Sequence, residues 1–151
     1  MGSIPTRSTK FMGVLTTTAA KGEFAILKVQ MRAVELGVVV SRPIVEGTRY
    51  DLILDNGKLS RVQVKYVGSN SQRSSGAAHI RLSSTSRSQK KPRSLYTDEE
   101  IDAVIAYLPQ IDKLCWLPPE VWRGKHSVVL RYDAPKNKQL KGCTLVKDYL
   151  W

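Results

Sequence analysis

Two short strings place an acid, a carboxamide and an amine within reach of one another: Arg49-Tyr50-Asp51-Leu52 and Val62-Gln63-Val64-Lys65. Around the second string, Val62, Val64 and Tyr66 alternate with Arg61, Gln63 and Lys65. A β-strand therefore puts Gln63 and Lys65 on one face, two residues apart. Asp51 lies in a strand-like run from Tyr50 to Asp55, and the turn signal Asn56-Gly57 leads from it into a second run, Leu59 to Val67. A hairpin of these two strands brings Asp51 beside Gln63 and Lys65. Such a set can hold a divalent cation and a water against a phosphodiester. The same pattern also describes an ordinary solvated cross-strand pair, so the surrounding elements have to decide.

Upstream, Thr16 to Leu36 has the signals of a helix. Thr16, Thr17 and Thr18 can cap it, Gly37 ends it, and Phe24, Leu27, Met31 and Val34 recur at helical spacing as a core stripe. Glu23 stands beside that stripe near the N-terminal end, where the helix dipole favours a carboxylate. Val38 to Val40 begins a strand that Pro43 limits. Downstream, Ala77 to Thr85 alternates Ile80 and Leu82 with His79 and Arg81. Thr97-Asp98-Glu99-Glu100 reads as a capping box opening a second helix, with Ile101, Val104, Ile105 and Leu108 as its buried stripe and Pro109 as its stop. Lys113 to Leu117 and Ser127 to Asp133 are strands, with a turn at Pro118 to Trp122 between them. Leu145 to Trp151 is a short terminal element. The expected fold is α+β (mixed α/β): a central mixed sheet flanked by helices, one domain over residues 1–151, with a flexible polar lead over about residues 1–15.

The charge distribution points to a polyanion. The 151 residues carry 24 Lys and Arg against 13 Asp and Glu, a formal charge of +11. Between Asp55 and Asp98 there is no carboxylate, while Lys58, Arg61, Lys65, Arg73, Arg81, Arg87, Lys90, Lys91 and Arg93 all fall there. Residues 68–94 are therefore expected to form a basic arm on double-stranded DNA, either entering a major groove as two antiparallel strands or tracking phosphates. Arg73, His79, Arg81, Arg87, Lys90, Lys91 and Arg93 are its contact candidates. Lys136, Lys138 and Lys141 are a second phosphate patch or a plain solvated loop. Trp116, Trp122 and Trp151 suit a core or a subunit contact better than base stacking.

Other classes find little support. No run of 18 apolar residues exists to span a membrane, and the start has no apolar signal region, although Met12 is a second possible beginning. Cys115 and Cys143 are expected as free thiols in a reducing bacterial cytoplasm, with no metal-binding spacing.

Taken in order, a helix with Glu23, a strand with Asp51, a strand with Gln63-Val64-Lys65 and then a second helix resemble the core of the PD-(D/E)XK nuclease superfamily. That superfamily includes restriction enzymes, Holliday-junction resolvases and some homing endonucleases. Leu130-Arg131-Tyr132-Asp133 and Asn137-Lys138-Gln139 add a texture similar to the small endonucleases of bacterial group I introns. The resemblance covers most of the chain and departs at Gln63, where the family usually has Asp or Glu. It implies a site-specific double-strand endonuclease that hydrolyses phosphodiesters with Mg²⁺ and needs no nucleotide cofactor. Asp51 is then the principal ligand, Gln63 and the Val64 carbonyl are lesser ones, and Glu23 positions a water or a second ion. Lys65 stabilises the attacking group or the charge on phosphorus. Two opposed cuts imply a homodimer or a dimer of dimers. A junction resolvase would use the same core. A non-catalytic basic nucleic-acid-binding protein would explain the charge but not the convergence of Glu23, Asp51, Gln63 and Lys65.

Overall fold

The computed structural model describes residues 14–68, 76–83, 94–133 and 143–151. After a 3-10 turn at Val14–Thr16 comes helix α1, Thr18–Glu35. Thr17 is its N-cap, accepting from the Ala20 N–H at 3.1 Å. Leu36 is its C-cap, and Gly37 follows at a φ of 71°. The strands are β1 Val39–Ser41, β2 Leu52–Asp55, β3 Leu59–Tyr66, β4 Ala77–Arg81, β5 Ala103–Leu108, β6 Lys113–Leu117, β7 Ser127–Arg131 and β8 Thr144–Leu145. A single helical turn, α2 (Pro119–Trp122), precedes β7.

Among the described residues two sheets form. The larger has the order β1-β2-β3-β5-β6 and the smaller β4-β7-β8. In the larger sheet β3 is antiparallel to β2 and parallel to β5, so the sheet is mixed. The β2–β3 hairpin is closed at Gly57, whose φ of 97° suits a residue without a side chain and whose N–H donates to Asp55 Oδ1 at 2.9 Å. In the smaller sheet β4 is antiparallel to β7 and β7 parallel to β8. Gly76 starts β4 at a φ of 79°, and a Cβ there would lie 2.4 Å from the Asp133 Cβ, so glycine is the residue that fits.

Two cores lie on opposite faces of the large sheet. On one face, Ala25, Ile26, Val29 and Ala33 of α1 pack on Leu52, Leu54, Val62, Val64, Ala103 and Ile105. On the other face, Val104, Ala106, Leu108 and Leu117 pack against Ile80 and Leu130 of the small sheet. Asp112 fastens α1 to the β5–β6 turn by accepting from Lys28 Nζ and from the Tyr107 hydroxyl, each at 2.8 Å. Burial, and then the Asp112 contact, push the Tyr107 phenol up to about 12.

The α+β class and the hairpin agree with expectation, and two elements do not. The stretch expected as a second helix is a four-residue turn followed by strand β5. Thr97 and Glu100 do make a capping contact, the Thr97 N–H donating to Glu100 Oε2 at 3.1 Å. From Ala103 onward, however, all six residues are buried. A strand covered on both faces reads as a continuous apolar run, and over so short a length its spacing also fits a helix. The second correction concerns α1. Leu27, Met31 and Val34 face outward at 56%, 57% and 74% exposure, while the smaller Ala25, Val29 and Ala33 face the sheet. Small residues there let the helix lie close to the strands.

Because Ile105 is sealed between α1 and the sheet, Ile105→Ala is expected to lower the unfolding free energy by about 2–5 kcal/mol. Ile44→Ala, at a fully exposed position, should change it by less than about 0.5 kcal/mol. Urea denaturation of the two variants checks both, and equal effects would contradict the strand placement.

Candidate active site

Asp51 sits one residue before β2, still joined to β3, its own N–H donating to the Val62 carbonyl at 2.9 Å. Its carboxylate turns onto the next strand. Oδ2 accepts the Val64 N–H at 2.7 Å and also accepts from Gln63 Nε2. Gln63 Nε2 lies 3.3 Å from the Val64 carbonyl oxygen as well. Three of the residues expected in the site are therefore in direct contact, at the point where the chain leaves the hairpin ladder. Both bonds end on Oδ2, so Oδ1 is the oxygen left for a cation.

The electrostatics of this carboxylate are unusual. Burial raises the Asp51 carboxyl above its ordinary range. That outweighs the Val64 N–H bond, the charges of Lys65 and Arg42, and the Gln63 bond, all of which act to lower it. An anion short of solvent in this way gains from a cation beside it.

Lys65 follows two residues after Gln63 on the same face, close enough to Asp51 for its charge to be felt there. Its Nζ donates to the Tyr96 hydroxyl at 3.0 Å. Glu23 reaches the site through a third residue. It lies past the first turn of α1, half-exposed, and makes a two-pronged ion pair with Arg42, whose Nη2 donates to Oε2 at 2.9 Å. Arg42, rather than the helix terminus, holds the Glu23 carboxyl below the usual range, and the charge of Arg42 also acts on Asp51. A groove of about 390 Å³ runs beside them, lined by Arg42, Pro43, Val45, Thr48 and Asp51.

Among the described residues no three of His, Cys, Asp and Glu gather around one point. The donors at hand are instead oxygens of mixed kind: the Asp51 carboxylate, the Gln63 carboxamide, the Val64 carbonyl and, past Arg42, Glu23. An all-oxygen set of low charge suits a hard divalent cation that keeps part of its water. Gln63 presently turns its nitrogen to Asp51, so a cation between them requires the amide to rotate and bring Oε1 round.

Of the expected DNA-contact residues, His79 and Arg81 are exposed on β4, with Ala78 and Ile80 buried on the other face. They line a second groove, of about 340 Å³, together with Lys65, Gly68, Ser83 and Tyr96. The β4 partner is β7, so the middle of the expected arm is part of the core. Arg73, Arg87, Lys90, Lys91 and Arg93 lie outside the described residues, as do Lys136, Lys138 and Lys141. Arg61 of the basic run is bound to Asp102 through Nε and Nη2, both at 3.1 Å, and is occupied there. Trp122 is core, its indole N–H donating to the Leu117 carbonyl at 3.0 Å, and Trp116 and Trp151 pair at 6.1 Å.

Two site residues escaped the sequence: Arg42 and Tyr96. An ion pair spanning 19 residues leaves no periodic trace. Tyr96 does leave one, since it is the single aromatic residue between Tyr66 and Tyr107.

A family model described as PD-(D/E)XK endonuclease matches residues 16–151. Among solved structures the chain is similar to a bacterial homing endonuclease, I-Ssp6803I. The two share 25% sequence identity and a TM-score of 0.72, with 89% of this chain and 88% of that chain covered. No curated protein matches. Nucleases of this kind generally use divalent metals and act on DNA. The matched span holds Glu23, Asp51, Gln63 and Lys65 with both sheets around them, and the chain belongs to the PD-(D/E)XK endonuclease family.

Proposed function

We propose that this nuclease is a site-specific double-strand DNA endonuclease of the homing type, working with Mg²⁺. The observation that carries the proposal is the contact of Asp51 with Gln63 and Val64, beside Lys65, at the head of the β2–β3 hairpin. The likeness to a homing endonuclease along nearly the whole chain supports it. Asp51 Oδ1, Gln63 Oε1 and the Val64 carbonyl would hold the ion, with Glu23 on its far side. When bound, the ion supplies positive charge at the scissile phosphate and an acidified water.

The protein's own groups do the rest. The Val64 N–H fixes the plane of the Asp51 carboxylate, so its free oxygen is aimed before substrate arrives. The Lys65 ammonium meets the negative charge that builds on the phosphoryl oxygens, in a site where burial strengthens it. Glu23 accepts a hydrogen bond from the attacking water once Arg42 yields it, and Arg42 is then free for a neighbouring phosphate. Arg81 extends the cationic track along the second groove, with His79 beside it as a polar contact.

Asp51→Ala and Lys65→Ala are each expected to reduce cleavage of target DNA by more than about 100-fold, with target affinity in Ca²⁺ weakened little. Gln63→Glu supplies the family's usual carboxylate and should stay active. Incubation with supercoiled plasmid bearing the target tests all three. Discrete linear product from wild type supports the reading; cutting of branched DNA alone would favour a junction enzyme; and near-normal cleavage by Asp51→Ala or Lys65→Ala would remove the site assignment.

Arg81→Ala should weaken target binding and lower the slope of log affinity against log salt by about one. An unchanged slope would take Arg81 off the DNA track.

The proposal includes a homo-oligomer, a dimer or a dimer of dimers, because one chain has one catalytic set and a double-strand cut needs two in opposite orientation. The exposed row of Leu27, Met31 and Val34 on α1 is a surface that a second copy would cover. Sedimentation should show at least a dimer on DNA, and a monomer both free and bound would rule this out.

A further inference from the structure

Lys65 has four rotatable bonds, yet the chemistry proposed for it needs one position. A lysine held by nothing would spread over many rotamers, and ordering it costs up to about 2 kcal/mol. The structure supplies a restraint. Tyr96 is buried at 6% exposure, in the core between the large sheet and the small one. Its hydroxyl oxygen accepts from Lys65 Nζ at 3.0 Å, and the same Nζ lies 5.3 Å from the ring centroid. One of the three ammonium hydrogens is used in this contact, and the other two remain for phosphoryl oxygens.

Tyr96 is itself held in place. The Arg49 guanidinium lies 4.5 Å from the ring centroid. That guanidinium is anchored at both ends, donating from Nε to Glu100 Oε1 at 3.0 Å and from Nη2 to the Leu95 carbonyl at 2.8 Å. Glu100 is fixed in turn by the Thr97 N–H at 3.1 Å. A line of contacts thus runs from the turn after the basic segment, through Glu100, Arg49 and Tyr96, to Lys65. Arg49 stands two residues before Asp51, so the string that carries the acid also carries the brace for the amine.

We infer that Tyr96 is a positioning residue for the Lys65 ammonium, with Arg49 as its prop. The phenol fixes where the positive charge stands before a phosphodiester enters, and Arg49 fixes the phenol. This rests on the proposal that Lys65 acts at the scissile phosphate. Misplacing a charged group by about 1 Å is enough to cost a hundredfold in rate.

The test compares Tyr96→Phe, which keeps the ring, its burial and the Arg49 contact, with wild type and Lys65→Ala. Tyr96→Phe is expected to lower the single-turnover cleavage rate at saturating DNA by about 10- to 100-fold. Target affinity in Ca²⁺ and the melting temperature should stay at wild-type values. The ¹⁵Nζ signal of Lys65, assigned by its absence in Lys65→Ala, should be visible in wild type and broaden in Tyr96→Phe as the ammonium loses its partner. Arg49→Met should lower the rate in the same direction. Tyr96→Phe cleaving within twofold of wild type, while Lys65→Ala is inactive, overturns the positioning role and leaves the role of Lys65 standing. A Tyr96→Phe defect matched by an equal loss of affinity or of melting temperature also overturns it, since a merely structural residue would behave so. Near-normal cleavage by Lys65→Ala overturns both.

Discussion

Strand β3 is paired on both edges, antiparallel to β2 and parallel to β5, and the placement of the candidate site residues follows from that double pairing. With both edges occupied, the strand can neither slide nor rotate. Val62 and Val64 are committed to the face under α1, which commits Gln63 and Lys65 to the other. A slip of one residue would bury Gln63 and Lys65 under the helix and expose the two valines, so the apolar core enforces the register that the chemistry needs. Asp51 uses the same constraint from the neighbouring strand. Its carboxylate bonds the Val64 N–H, a group whose position the ladder has already set.

The hairpin and its polar face were legible because alternation and an Asn-Gly turn are local signals. The expected positions Asp51, Gln63 and Lys65 needed little more than that, whereas Glu23 was read from the signals of the helix that carries it. What could not be read was set by contacts distant in sequence. Ala103 to Leu108 looks helical by spacing because Ile101, Val104, Ile105 and Leu108 fit a helical period. Burial on both faces, which only the assembled sheets create, makes it a strand. The outward row of α1 reads as its inward row in the sequence because Leu27, Met31 and Val34 are the larger side chains. The inward alanines owe their burial to the closeness of the sheet, a property of packing rather than of hydropathy. Arg42 leaves no signal and Tyr96 only an isolated one for a related reason: each matters through a partner more than a dozen residues away.

Charge is also rearranged by folding. The sequence shows a long basic segment ending at an acidic cluster, Asp98 to Asp102. In three dimensions that cluster is a clamp. Asp98 pairs with Arg123, Glu100 with Arg49, and Asp102 with Arg61. These pairs neutralise arginines that hold the scaffold together, and Asp98 and Asp102 are kept in the ionised form by their partners. Among the described residues, Lys65 and Arg81 are the basic side chains that line the second groove, with His79 beside them.

The parallel pairing of β3 with β5 carries a consequence for how the molecule comes to exist. Arg61 and Asp102, which join the two strands at their start, are 41 residues apart in sequence, and the chain between them visits the small sheet before returning. Parallel partners reached over a long connection form late, since the entropy of closing the loop is lost before any contact repays it. While a nascent chain waits, the β2–β3 hairpin presents an unpaired edge and a bare row of Leu52, Leu54, Val62 and Val64. Topologies of this kind fold slowly and leave strand edges open to self-association, and it is this topology that sets the candidate site residues side by side.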